Sequence, residues 1–225
     1  MNLTPRLLKI ASLVPQNSVL ADVGTDHAYV PVYCILNGIC QSALAMDINE
    51  GPLKNAEETV KNYGVSDRVE LRLSDGLCKM EPHEADTVVI AGMGGLLIKS
   101  ILEKANLKEG TTLILQPMLA QKELREYLYS NDIAITDEYL AKEDNKIYNI
   151  FVAKVGCKGQ YSFDDILIGR NVCKNSPELF EFYKSKEVGV RNKILGGLNN
   201  AKVKDEDAIK SVTKELERWL GYEDK

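Results

Sequence analysis

The sequence predicts an α/β protein: a doubly wound, mostly parallel sheet followed by a C-terminal α-helical region. Three observations carry this. Short β-rich runs alternate with helical patterns as far as Val155. Strand signals stop near Gly159, after which two amphipathic helical stretches follow. The turns after the predicted strands hold glycine and aspartate, as expected where a sheet presents the carboxyl ends of its strands to a ligand.

Each element is justified by its own residues. Val19–Asp22 reads as a strand, and Ala28–Asn37 as a helix stopped by Gly38. Ser42–Asp47 is a second strand. Leu53–Tyr63 is a helix with Pro52 near its first turn and Gly64 after it. Val69–Leu73 alternates with period two. Thr87–Ala91 is an apolar strand, Leu96–Ala105 a helix, Thr111–Gln116 a strand and Lys122–Ser130 a helix. Ala134–Leu140 and Ile147–Val155 form a hairpin around Asp144-Asn145 that adds an antiparallel strand at one edge. Right-handed crossovers wrap the parallel part on both faces. Farther on, Ser176-Pro177-Glu178 is a helix start with Ser176 as N-cap. Tyr183, Val190, Ile194 and Leu198 share one helical face; Ile209, Val212, Leu216 and Trp219 share another, so the two helices should pair antiparallel. The boundary is expected near Gly156–Gly159, dividing the chain into residues 1–157 and 158–225.

Composition narrows the function classes. The 225 residues carry a formal net charge of -5, which does not advertise a nucleic-acid binder. Residues 159–225 hold twelve of the 28 Lys and Arg and twelve of the 33 Asp and Glu, so the acidic excess belongs to the sheet region. The five cysteines are scattered and form no C-x-x-C pair. With two histidines they complete no zinc set, so no metal is expected. The start of the chain lacks an apolar signal segment and no stretch is long enough to span a bilayer; a cytoplasmic monomer without membrane contact is expected.

Four strand-end loops hold the candidate chemistry. In Asp22-Val-Gly24-Thr-Asp26-His27, Gly24 permits a sharp turn close to a ligand. Asp26 stands where a dinucleotide fingerprint has its second glycine. A carboxylate there repels a pyrophosphate but pairs with a sulfonium or an amine, which disfavours a nicotinamide enzyme; capping the next helix is its ordinary alternative. Asp47 ends the second strand about 20 residues on, where an acid accepts hydrogen bonds from ribose hydroxyls; its alternative is also a helix cap. Ser74-Asp75-Gly76 offers an acceptor to an adenine amino group, though Asp-Gly is often only a turn. Ala91-Gly92-Met93-Gly94-Gly95 allows close backbone approach, where a plain strand-to-helix turn would need one glycine.

The string A-D-V-G-T-D-H-A-Y-V-P at Ala21–Pro31, together with A-G-M-G-G at Ala91–Gly95 and Gln116-Pro117-Met118, resembles the bacterial TrmK family of tRNA (adenine-22-N1)-methyltransferases. The likeness extends over the chain, including Leu3-Thr-Pro-Arg6 and Lys146-Ile-Tyr148, and is general in the C-terminal helices. It implies a Rossmann-like class I methyltransferase fold with a helical, coiled-coil-like C-terminal domain, S-adenosyl-L-methionine as cofactor and tRNA as substrate. It places Arg6, Asp22, Gly24, Asp26, His27, Asp47, Ile48, Asn49, Asp75, Gly76, Gly92 and Met93 at the cofactor, with Arg6 on the methionyl carboxylate. Asp26 is the candidate catalytic carboxylate, and Gln116, Pro117, Arg125 and Tyr148 are candidate substrate contacts. Arg125, Lys122, Lys184, Lys186, Arg191 and Lys193 are candidate phosphate contacts. A small-molecule methyltransferase and a non-catalytic RNA-binding protein of this fold are the alternatives.

Overall fold

The computed structural model describes residues 1–222; the last three residues of the predicted helical region lie outside the described residues. Seven strands form one sheet: β1 (Ser18–Val23), β2 (Cys40–Asp47), β3 (Val69–Leu73), β4 (Thr87–Met93), β5 (Thr112–Pro117), β6 (Ile133–Glu143) and β7 (Lys146–Val155), in spatial order β3-β2-β1-β4-β5-β7-β6. The first five pair in parallel. Strand β7 pairs antiparallel with β5 and with β6. The hairpin therefore supplies two antiparallel strands, with β6 outermost, rather than one. The order reverses between β1 and β4, and that switch point leaves a crevice at their carboxyl ends.

Alternation along the buried strands divides the core in two. Val88 and Ile90 pack with Ile98, Leu102, Leu124 and Leu128, from α4 (Gly95–Glu103) and α5 (Gln121–Ser130). On the other face Val89 and Ile114 pack with Ile10, Val32, Ile35, Ala56 and Val60. These come from α1 (Pro5–Ser12), α2 (Tyr29–Leu36) and α3 (Glu50–Asn62). The apolar periodicity thus decides which helix covers which face.

Helix α1 is not legible as an apolar run. Its start is encoded by Thr4, whose hydroxyl oxygen accepts from the Leu7 amide, and by Pro5 in the first turn. It lays Arg6 over the ends of β1 and β4. Two other short helices lie outside the periodic pattern, α6 (Phe163–Leu167) and α7 (Val172–Asn175). The long pair α8 (Pro177–Asn199) and α9 (Glu206–Leu220) packs together as expected.

The helical region docks on the sheet through Leu140, Leu167, Ile168, Val172, Phe180, Tyr183 and Trp219. Ser176 precedes α8, but its hydroxyl caps no amide of that helix; it accepts from the Leu140 amide and ties the helix start to β6. Of the face expected to be apolar on α8, Tyr183 is buried while Val190 and Ile194 are exposed.

Arg125 and Arg191 correct the expected phosphate contacts. Arg125 is 1% exposed, and its guanidinium donates to Glu138 at 2.7 and 2.9 Å and to the Ile166 and Ile168 carbonyls. A Cβ at Gly169 would fall 2.6 Å from Glu138 Oε2, so the chain passes over this pair only because residue 169 is glycine. Arg191 is also buried, donating to Glu187 and lying against Trp219 and Glu215. Lys122 is held by Glu215 at 2.6 Å. The two arginines are taken up inside the protein, and Lys122, with 36% of its side chain exposed, is paired with Glu215.

Candidate active site

Three loops converge at the switch point. A cleft of about 390 Å³ is lined by Arg6 and Leu7 from α1, by Asp22 and by Gly24 through Val30 from the end of β1 into α2, and by Ala91 and Gly92 from β4. Its floor is set by backbone geometry. Gly24 takes φ +77°, and the amides of Gly24 and Thr25 donate to the Met46 carbonyl at 2.8 and 3.0 Å. A Cβ on Gly24 would lie 2.2 Å from Met93 Cε, so Met93 fills the space that the missing side chain leaves. At Gly92, φ +77°, the β4–β5 register slips by one residue, which turns the strand end outward.

The glycines of Gly92-Met93-Gly94-Gly95 divide their work differently from the sequence expectation. Gly92 makes the bulge. Gly95 is needed for packing, since a Cβ there would meet the Ala120 carbonyl oxygen at 2.4 Å. Its amide donates to the Leu119 carbonyl. Gly76 also has positive φ and backs directly onto Ile101. Of these glycines Gly24 makes room for Met93, and Gly92 has an open face, with Arg6 nearest at 3.8 Å.

Asp22 is buried and accepts the Thr25 hydroxyl at 2.5 Å. Burial pushes its carboxyl up to about 6; the Thr25 hydrogen bond opposes this and the nearby Asp47 adds to it. Asp47 ends β2, and one of its oxygens accepts the Asn49 amide at 2.8 Å. It does not cap α3, whose N-cap position is Asn49. Ile48 is 60% exposed beside it, an apolar surface for a flat ring. Asp75, at the end of β3, lies 3.6 Å from Lys104 rather than free.

Asp26 does not cap α2. The cap position is Ala28, in the left-handed region at φ +52°, without a side-chain cap. Asp26 instead points outward, 71% exposed, 3.6 Å from His27 Nε2. His27 stacks on Tyr29 with ring centroids 4.9 Å apart and planes within 6°.

Arg6 is anchored from three sides: it donates to Gln116 Oε1 at 2.8 Å, its guanidinium lies over the Tyr148 ring, and Glu143 is 3.9 Å away. The Gly92 amide donates to the same Gln116 oxygen at 3.2 Å. Gln116 is 0% exposed and Pro117 is buried, so neither is open to a substrate; Gln116 acts by holding Arg6 and the β4 bulge. Sequence reasoning does not single out Thr25, Tyr29 or Glu143. Thr25 has a local signal, three residues after an acid at a strand end. Glu143 reaches the site only through the hairpin pairing. Among the described residues no group of three or more His, Cys, Asp or Glu is placed to hold a metal ion.

The model for the methyltransferase domain matches residues 3–151. Over 158 residues the chain is 40% identical to the tRNA (adenine(22)-N(1))-methyltransferase of Bacillus subtilis; the match covers 69% of this chain and 66% of that relative, just under two thirds of its length. The chain belongs to the TrmK family. Its members of known structure include the M1A22 tRNA methyltransferase TrmK of B. subtilis, which is 32% identical with a TM-score of 0.86 and 97% coverage of both chains. TrmK of M. capricolum, solved with S-adenosyl-homocysteine, is 27% identical with a TM-score of 0.83, covering 98% of this chain and 97% of that one. The family therefore extends over the helical region as well as the sheet.

Proposed function

We propose that this chain methylates N1 of adenine 22 in tRNA, with S-adenosyl-L-methionine as methyl donor. The carrying observation is the cleft at the β1–β4 switch point, which brings Asp22, Asp26 and Arg6 together. The residues present fit the cofactor. Asp47 lies where ribose hydroxyls can donate to its carboxylate, beside exposed Ile48, and Gly92 leaves backbone room. Asn49 and Gly76 frame the adenosine end, and Asp75 serves the adenine amino group in exchange for its contact with Lys104. Arg6 holds the methionyl carboxylate, and ionised Asp22 attracts the methionyl ammonium. When bound, the cofactor supplies a methyl group on an electrophilic sulfonium.

N1 of adenine has an in-plane lone pair, so no base is needed to make it nucleophilic. The protein's work is to hold N1 in line, exclude water and stabilise the charge that develops on the purine. N1 lies on the pairing edge, so the base must leave its stack before reaching the cleft. The open carboxylate of Asp26 is the group that meets it, accepting from the N6 amino group and balancing the cationic product. His27 orients that carboxylate.

In this reading residues 1–157 carry cofactor and chemistry, and residues 158–225 dock tRNA; the enzyme acts as a cytoplasmic monomer. Among the described residues no helix is long and apolar enough to cross a membrane. With Arg125 and Arg191 buried and Lys122 paired with Glu215, the phosphate contacts fall to Lys186 and Lys193, which are exposed, together with exposed Lys142. Lys142 and Lys186 both approach the Phe182 ring. Lys184 is less available, since it donates to the Tyr222 carbonyl.

The test is to incubate the protein with tRNA and labelled cofactor and map the product by reverse transcription, which stops at a base methylated on its pairing edge. A new stop at position 22 is expected. A control tRNA with guanine at that position should receive no label. Label entering a metabolite pool instead of tRNA would overturn the reading.

A further inference from the structure

We infer that the His27–Tyr29 stack is the platform on which the extruded target base rests, with Tyr29 as a substrate-stacking residue; this deepens the methyl-transfer reading and rests on it. Tyr29 is a large aromatic side chain, 41% exposed, lining the cleft beside Asp22, Asp26 and Arg6. Among the described residues its one ring neighbour is His27, which keeps 38% of its own side chain exposed. The parallel alignment of the two rings, within 6°, presents flat π surface to the cleft. A third planar ring extends such a stack without needing hydrogen bonds, which is how proteins hold unpaired bases.

The backbone is arranged for this. Ala28, between the two rings, is buried and sits at φ +52°, a sparsely populated conformation for a residue with a Cβ. That turn brings residues 27 and 29 side by side. Position separates the platform from the cofactor's adenosine. Asp47, Ile48 and Asp75 follow the ends of β2 and β3, on one side of β1, whereas Tyr29 shares the cleft with Arg6, Leu7, Ala91 and Gly92 toward β4. Asp26 lies 3.6 Å from His27 Nε2 and lines the same cleft as Tyr29. Stacking supplies residence in the cleft, and Asp26 supplies the choice of adenine.

The experiment compares the full-length protein with Tyr29→Ala, Tyr29→Leu and Tyr29→Phe. Leucine keeps bulk without a π face, which guards against a packing defect. We expect kcat/KM for tRNA to fall roughly 10- to 100-fold in Tyr29→Ala and Tyr29→Leu, with Tyr29→Phe close to the unmodified protein. Cofactor affinity by calorimetry should stay the same in all four. Transfer RNA carrying 2-aminopurine at position 22 gives an independent signal: its fluorescence should be quenched in the complexes of the unmodified and Phe proteins and bright in those of the Ala and Leu variants. Unchanged kcat/KM in Tyr29→Leu, equal fluorescence in all complexes, or a parallel loss of cofactor affinity would overturn the assignment of Tyr29 alone. Absence of methyl transfer to tRNA by the unmodified protein would overturn the functional reading and the platform with it.

Discussion

At the ends of β1 and β4, Asp26 keeps 71% of its side chain exposed, and the group it faces is a histidine 3.6 Å away. At the joint between α5, β6 and the C-terminal helices, Arg125 and Glu138 are 1% and 0% exposed and meet through three guanidinium hydrogen bonds. The same kinds of charged side chain serve opposite ends. In the cleft a charge is held near backbone turns and left with free bonding capacity. In the joint every charge has its partner: the Ile166 and Ile168 carbonyls take further Arg125 donors, and the Arg170 amide donates to Glu138. A cation in or beside the helical half is thus not by its charge alone a nucleic-acid contact. Here the most buried ones fasten the helices to the sheet and to each other.

The comparison breaks most severely at Arg125. Arg125→Met leaves Glu138 buried without its partner and should destabilise the fold by about 3–5 kcal/mol in denaturant unfolding. Arg125→Met with Glu138→Leu should recover most of that deficit; a double variant as unstable as the single one would show that the joint depends on more than this pair. Because α6 and the Ile168 turn are tied to Arg125, removing residues 160–225 would uncover the pair, so surface lysines are the better probe of docking.

Asp22 lies between the two regimes, buried like the joint but belonging to the cleft. Its carboxyl is raised from 3.8 to about 6 by burial, so between those values the folded state holds a proton that the unfolded state has already released. Stability from this group is full below the unfolded value and is lost as pH rises toward 6. In the cofactor-free protein, Asp22→Asn should therefore be more stable than the unmodified chain above pH 7, by up to roughly 3 kcal/mol, with the two converging near pH 4. Thermal melts across that range check it, and a gap independent of pH would refute it.

Asp26 tests the open side. Asp26→Asn keeps the shape and removes the charge, and should lower kcat about 100-fold while cofactor affinity changes little. Single-turnover rates with saturating cofactor, beside calorimetric binding, check both halves of that statement. The smallest effect is expected at the surface. Replacing Lys142, Lys186 and Lys193 together by Ala should leave turnover at saturating tRNA intact. It should reduce the salt dependence of tRNA binding by roughly 0.7–0.9 in the log–log slope for each phosphate no longer neutralised. An unchanged slope would move the docking face elsewhere.

Local pattern makes most of the sheet legible. Apolar runs of four to eight residues bounded by Gly, Asp and Asn mark strands because a buried strand has few other ways to be written. The candidate cleft residues at 22, 24, 26, 27 and 92 are legible for a related reason: a loop at a switch point is contiguous in sequence, and its glycines and acids stand close together. Gln116 and Arg125 are not, because burial is decided by what packs above them. A lone Gln or Arg gives no local sign of whether it faces water. The start of α8 shows the same limit, since the Ser176 hydroxyl turns to the amide of Leu140 in a strand 36 residues away.

Local pattern encodes the order of the strands and of the longer helices from α2 on, the switch-point loop and its acidic signature, because periodicity and turn chemistry act over a few residues. Tertiary structure alone decided that Arg125 and Arg191 are internal and that Glu143 and Gln116 anchor Arg6 from distant strands. It also decided that His27 and Tyr29 lie face to face, through the left-handed turn at Ala28. Those outcomes depend on desolvation and on how whole elements pack, which no local pattern records.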